Sequence, residues 1–276
     1  MTARPTPGGL GEFDAQSTYG AAALDYHDAA PDFWGFAGPL TAERAGLRPG
    51  ETVLDVACGT GAATIPAAAA VGPAGRVLGV DYAEPMLAVA RRGAAEAGHG
   101  HVELRVADMT ALDTGGERFD AVLCALGLFF ARDMVALARD MRALVRPGGR
   151  LVVTVLGPRF LQPMLDVFRD HVRAERPDMD VRPPWIRTDE PDALEAVLRE
   201  AGASAVEVHR ERRSGRLAAP EDWWRCVMGS GLRAYVEEIG PETAERVRRA
   251  DLAHVRSHGV REVVVEAVCA VESVPA

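Results

Sequence analysis

The sequence contains no lysine: all 31 of its basic side chains are arginine. That absence excludes Schiff-base chemistry and any phosphate loop that depends on a lysine ammonium. Cysteine is scarce. Cys58, Cys124, Cys226 and Cys269 are the whole set, and no two form a CxxC pair, which argues against a zinc knuckle or a dithiol motif. Reduced, widely spaced thiols point to the cytosol. Long hydrophobic runs are missing too. The longest uncharged apolar stretch, Ala121 to Ala131, falls well short of the roughly 18 residues that a membrane-spanning helix needs. The opening MTARPTPGGLGE lacks the apolar segment of a signal peptide and reads as a loose tail. Positive charge is in deficit, and a net charge of −9 argues against a nucleic-acid partner.

What is present is ordinary for a globular protein: 276 residues, 48% apolar and 26% charged, enough for one large domain or two small ones. Residues 14–30 read as a weakly amphipathic helix, and FWGFAGPLTAERAGL as a second. Then apolar runs and helical patterns alternate. ETVLDVA, RVLGVDY, VELRVAD, FDAVLCALG and RLVVTVL read as strands. AATIPAAAAV, PMLAVARRGAAEAG and DMVALARDMRALV read as helices, with RPGG predicted as a turn before the fifth strand. Nearly continuous apolar strands at this spacing imply βαβ units and a parallel sheet covered on both faces. DEPDALEAVLREAGA adds a helix; SAVEVHRERRSGRL and REVVVEAVCAVES add two strands. The predicted fold is α/β: a Rossmann-like, doubly wound, mostly parallel seven-stranded sheet with helical cap insertions.

The predicted organisation is a tail with cap helices (1–46), a ligand-binding core (47–156), a first cap (157–189), a core helix and strand (190–217), a second cap (218–258), and a last strand with its tail (259–276). Trp34, Trp185, Trp223 and Trp224 all lie outside the alternating core. Aromatics gathered there fit an apolar acceptor pocket or, equally, a homo-oligomer interface.

The stretch VLDVACGTGAATI carries the chemistry. Gly59 and Gly61 sit where a strand passes into a helix, at the carboxyl edge at which open α/β sheets bind ligands. A dinucleotide would set its pyrophosphate on that helix N-terminus. Asp55 places a carboxylate close by, and GTGAAT lacks the third glycine of the dinucleotide fingerprint. Asp81, ending the second strand twenty residues after Gly61, suits two ribose hydroxyls. Asp108, ending the third, suits an adenine amino group, with the Met109 N–H reaching a ring nitrogen. Tyr82 and Met86 offer surface to an adenine face. Plainer roles stand beside these: turn glycines, a helix cap at Asp81 or Asp108, a backbone partner at Asp55, core packing at Met86. The set fits adenosine joined to a cationic, non-phosphate group, a description that S-adenosylmethionine meets.

VLDVACGTG, GVDYAEPML, VADMTAL, FDAVLCALGLFF and RPGGRLVV, taken in order, resemble the class I S-adenosylmethionine-dependent methyltransferases. They look most like the ubiquinone/menaquinone methyltransferase-like small-molecule group. The resemblance covers roughly residues 15–156. It implies that the cofactor is S-adenosylmethionine, with Gly59 and Gly61 at its methionine part, Asp81 at the ribose and Asp108 at the adenine. The candidate cofactor set is Tyr19, Asp55, Ala57, Gly59, Gly61, Asp81, Tyr82, Met86, Asp108, Met109 and Ala125, and no metal is needed. The end of the fourth strand, CALGLFF, lacks the Asn/Asp-Pro-Pro-aromatic motif of exocyclic-amine transferases. The expected reaction is therefore C- or O-methylation of a small, fairly apolar metabolite. Cyclisation with the cofactor in a structural role and NAD-dependent hydride transfer are the rivals. Of seven histidines, His27 in the first helix and His171 in the first cap are the candidate bases. His99 and His101 are expected in a solvated loop, and Arg210, Arg212 and Arg213 on a solvated strand edge.

Overall fold

The computed structural model describes residues 23, 25–29 and 33–276. Tyr19 and most of the predicted 14–30 helix lie outside them; residues 25–29 are helical. The first unit along the glycine turn is α1 (Ala37–Arg44), β1 (Thr52–Val56), α2 (Thr64–Val71), β2 (Arg76–Asp81), α3 (Glu84–Glu96) and β3 (Val102–Val106). Then follow β4 (Phe119–Ala125), α4 (Met134–Ala143), β5 (Val145–Leu156), α5 (Met164–Glu175), α6 (Pro191–Glu200) and β6 (Val206–Arg216). The chain ends with α7 (Glu221–Gly229), α8 (Arg233–Ile239), α9 (Pro241–His258) and β7 (Glu262–Ser273).

One seven-stranded sheet runs in the order β3-β2-β1-β4-β5-β7-β6. The pairings from β3 through β5 are parallel, whereas β7 runs antiparallel to β5. The order reverses between β1 and β4, and an open α/β sheet has its ligand crevice outside such a switch point. Alternation along β1 sends Val53 and Asp55 to one face and Leu54 to the other. On the first face Leu40, Val53, Ala67, Val77, Leu123 and Val152 form a continuous core. The small side chains of α2 let that helix lie close to the strands.

RPGG is not a separate turn. Phe119 pairs with Val145 and Ala121 with Arg150, so the extra residues form a bulge within β5. Gly148 takes a φ of 78°, and its N–H donates to Val274 O and Pro275 O. Backbone pairing absorbs residues whose composition reads as a turn.

The chain divides into two compact units. One comprises Trp34–Pro158, Trp185–Glu211 and Glu266–Ala276; the other comprises the described residues up to Phe33, Arg159–Pro184 and Arg212–Val265. The predicted inserts, 157–189 and 218–258, fall largely in the second. There α5 packs on α9, and α7 and α8 also pack on α9. Among the described residues no helix is long and apolar enough to cross a membrane.

Gly38 fixes how closely α1 approaches the glycine turn. A Cβ there would lie 2.2 Å from the Ala62 carbonyl oxygen and 2.7 Å from Ala63 N. Backbone cannot yield as a side chain would. Gly38→Ala is expected to cost about 1–3 kcal/mol or more by overpacking, and to weaken S-adenosylhomocysteine binding because the turn must shift. Thermal unfolding with and without that ligand measures both, and an unchanged melting temperature would refute the close packing.

Candidate functional site

The carboxyl ends of β3, β2, β1 and β4 stand side by side, and the predicted cofactor residues of this unit gather there. After β1 the chain enters Ala57 at φ 56°, Gly59 at 54° and Gly61 at 87°. Ala57 has no glycine's licence for that region; holding it there costs about 1–3 kcal/mol, and such strain concentrates at functional sites. Leu126, after β4, is also left-handed at φ 60°. Between them Gly127 is indispensable, since a Cβ would meet the Ala57 Cβ at 2.6 Å and the Cys124 Sγ at 2.9 Å. Ala57 and Ala125 are both half-buried at this edge.

Asp81 joins the glycine turn to β2. Its Oδ2 accepts from the Gly59 N–H at 2.8 Å and its Oδ1 from the Ala83 N–H at 2.9 Å. The capping alternative is thus real: Asp81 does bind backbone beside the start of α3. Each carboxylate oxygen has a further acceptor direction, so the same group is able to take hydroxyls as well. Burial pushes the Asp81 carboxyl up, and the backbone N–H groups oppose that shift. Met86 is buried on α3, with its Cε 3.4 Å from where a Gly59 Cβ would stand. Packing under the turn and lining it are one role here.

Asp108 is tied to this edge through its neighbour, because the Ala107 N–H donates to Asp81 O at 3.0 Å. Asp108 is exposed, and its Oδ1 accepts from Thr110 N–H and Oγ1 at 2.8 and 2.7 Å. Met109 is half-buried beside it. Tyr82 and Val106 are 50% and 55% exposed, the large hydrophobics left open at the ends of β2 and β3.

Asp55 differs from the expected open negative charge. It is fully buried beneath the turn, where Thr64 Oγ1 donates to its Oδ2 at 2.6 Å. Its Oδ1 has no hydrogen-bond partner among the described residues. Burial first, and Asp81 after the opposing Thr64 bond, push its pKa up to about 7. Thr64 was not among the predicted site residues. It is nine positions away, and only the βα turn brings it back over the strand end. Cys58 and Cys124 are buried free thiols with pKa values pushed up by burial, as inert fillers should have.

The second unit holds both candidate bases. His27 is exposed on the 25–29 helical segment. His171, on α5, has Nδ1 2.5 Å from Oδ1 of Asp251 on α9. Asp251 is fully buried, and its Oδ2 accepts from Trp223 Nε1 at 2.6 Å. The Asp251 hydrogen bond holds His171 above the usual histidine range, against an opposing effect of burial. Neither Asp251 nor Trp223 was among the predicted site residues. A clue was present: Val247, Asp251 and Val255 follow one another at intervals of four, placing a carboxylate on an apolar stripe. One further expectation shifts. His101 is half-buried, with Nε2 2.9 Å from Ala68 O, and His99 is half-buried beside it. Arg210, Arg212 and Arg213 are exposed on the edge strand β6 as expected, and Arg210 pairs with the buried Glu266 at 3.0 Å.

Residues 53–149 match the family model described as a methyltransferase domain. Nocamycin O-methyltransferase of Saccharothrix syringae is 33% identical over 218 residues, which cover 75% of this chain and 76% of that protein. The chain belongs to the S-adenosylmethionine-dependent methyltransferases. The ubiquinone/menaquinone biosynthesis C-methyltransferase UbiE of Hahella chejuensis is 39% identical over 115 residues, 41% of this chain and 46% of that one. This methyltransferase thus aligns with about half of that relative. Among solved structures the [4+2]-cyclase SpnF superposes with a TM-score of 0.59 at 18% identity over 98% of both chains, a likeness of fold. The methyltransferase is of the small-molecule type, and its cofactor is S-adenosylmethionine. The residues at the strand ends fit that group: an orphaned buried carboxylate oxygen, a left-handed glycine turn, and no lysine that would favour a phosphate.

Proposed function

We propose that this methyltransferase transfers a methyl group to an oxygen of a small, fairly apolar metabolite, with His171 as the general base. The observation that carries this reading is the His171–Asp251–Trp223 chain. A carboxylate buried this completely is expensive unless hydrogen-bonded. Here it receives an indole N–H and the Nδ1–H of a histidine that is only partly buried. Such an arrangement sets the tautomer, leaving Nε2 as the proton acceptor. A hydroxyl needs that help, whereas an electron-rich carbon needs it less.

Bound S-adenosylmethionine supplies a methyl on a sulfonium that is already a strong electrophile. The protein's share is to hold the acceptor in line, worth up to about 7–11 kcal/mol, to exclude water, and to take the hydroxyl proton at His171 Nε2. Asp81 is read as the ribose contact, Asp108 and Met109 as the adenine contacts, and Tyr82, Met86, Ala57, Gly59, Gly61 and Ala125 as the walls. Residues 157–189 and 218–258 are read as caps that choose the acceptor. The exposed His27 is the less suited base. The acceptor is read as a free metabolite in the cytosol, with no nucleic acid involved.

Incubation with isotopically labelled S-adenosylmethionine and a panel of phenols, enols, quinols and prenyl compounds tests the reading. NMR of the product is expected to show an O-methyl carbon. A C-methyl product, or a rearranged acceptor that carries no label, would replace O-methylation with one of the rivals.

A further inference from the structure

We propose that Asp55 is the residue by which the site senses the cofactor's positive charge: below neutral pH it is protonated in the free protein and releases its proton to solvent when the cofactor binds. The inference rests on the cofactor, not on the identity of the acceptor.

The geometry favours a neutral acid before binding. Asp55 is wholly buried, and Thr64 Oγ1 is its side-chain donor. The second oxygen, Oδ1, is buried and has no donor among the described residues. An ionised carboxylate left in that state forfeits most of its hydration, a penalty that a proton largely removes. Its charged neighbour makes matters worse. Asp81 stands at the adjoining strand end and is bound to the same glycine turn through the Gly59 N–H. Two carboxylates so placed resist ionising together. The neighbouring buried thiols Cys58 and Cys124, whose pKa values burial and the Asp55 charge push up, stay neutral near physiological pH. Burial and the charge of Asp81 raise Asp55 to about 7, against the hydrogen bonds from the Thr64 hydroxyl and backbone N–H, which favour the charged form.

An ammonium or sulfonium arriving at this edge changes the balance through space. Asp55 has no exposed surface, so its role requires no direct contact. A nearby cation stabilises the carboxylate, the O–H bond breaks, and the proton leaves to solvent. Affinity for a cationic ligand must then rise with pH until the free protein has lost the proton by itself. Below that point each pH unit costs up to about tenfold in affinity. A neutral adenosine compound gains nothing from the same change.

Titration calorimetry in buffers of different ionisation enthalpy counts the protons. S-adenosylhomocysteine, which keeps the ammonium, is expected to release close to one proton at about pH 6 and almost none at about pH 8.5. 5′-Methylthioadenosine, which lacks the amino-acid part, is expected to release none. Asp55→Asn keeps the shape and is expected to bind S-adenosylhomocysteine with no proton release and no pH dependence from this source. Thr64→Val removes the donor to the charged form and is expected to move the midpoint upward. If Asp55→Asn fails to fold, the comparison of the two ligands and the Thr64→Val shift still decide. Wild-type binding without proton release, or equal release with both ligands, overturns the proposal. Failure to bind S-adenosylhomocysteine at any pH overturns the cofactor assignment itself.

Discussion

Asp81→Ala is expected to weaken S-adenosylhomocysteine binding by at least about tenfold, because hydrogen bonds to a charged group are worth about 1.5–3 kcal/mol each. Two effects combine. The ligand loses a carboxylate acceptor for its ribose hydroxyls. The Gly59 and Ala83 N–H groups lose theirs, so the turn that shapes the site is no longer held to β2. Asp81→Asn separates the two, since an amide keeps one acceptor for the turn. Its loss of affinity should be smaller. Calorimetry on both variants provides the comparison. An Asp81→Ala affinity close to that of the wild type would leave Asp81 with its backbone role alone.

His171→Gln is expected to lower kcat by about 10²–10⁴-fold, the usual contribution of a positioned general base, while S-adenosylhomocysteine affinity stays unchanged. The pH profile supplies the stronger test. The base must be neutral to act, so activity rises as pH passes upward through the His171 pKa. Asp251 holds that pKa above the usual histidine value. Asp251→Asn should therefore move the rising limb to lower pH and reduce the plateau, and Trp223→Phe should do so to a lesser degree. A merely structural dyad predicts otherwise: lower melting temperatures and an unmoved profile. Rates are read on the acceptor that the labelled-methyl screen identifies.

Within the parallel part of the sheet β1, β2 and β4 were legible because they are buried along nearly their whole length and so read as apolar runs, whereas β3 is exposed toward its end. Asp55, Asp81 and Asp108 stood out because such runs end where the ligand edge begins. RPGG was misjudged for a related reason. Glycine and proline signal a turn locally, but here Gly148 lets β5 bulge while β4 and the chain end still pair with it. The state of Asp55 was illegible for a different cause. Burial is a property of everything packed around a side chain, and Thr64 becomes its partner only when α2 turns back over β1.

By itself the sequence determined the alternating α/β order, the cofactor class and the list of acidic residues at the strand ends. Those follow from periodicity and from chemistry carried along the chain. Only the tertiary structure decided that Gly38 meets backbone, that Asp55 sits in the dark with one bare oxygen, and that His171 on α5 shares Asp251 with Trp223. Each of those depends on groups far apart in sequence meeting within about 3 Å, the range of a hydrogen bond, and no local pattern encodes such a distance.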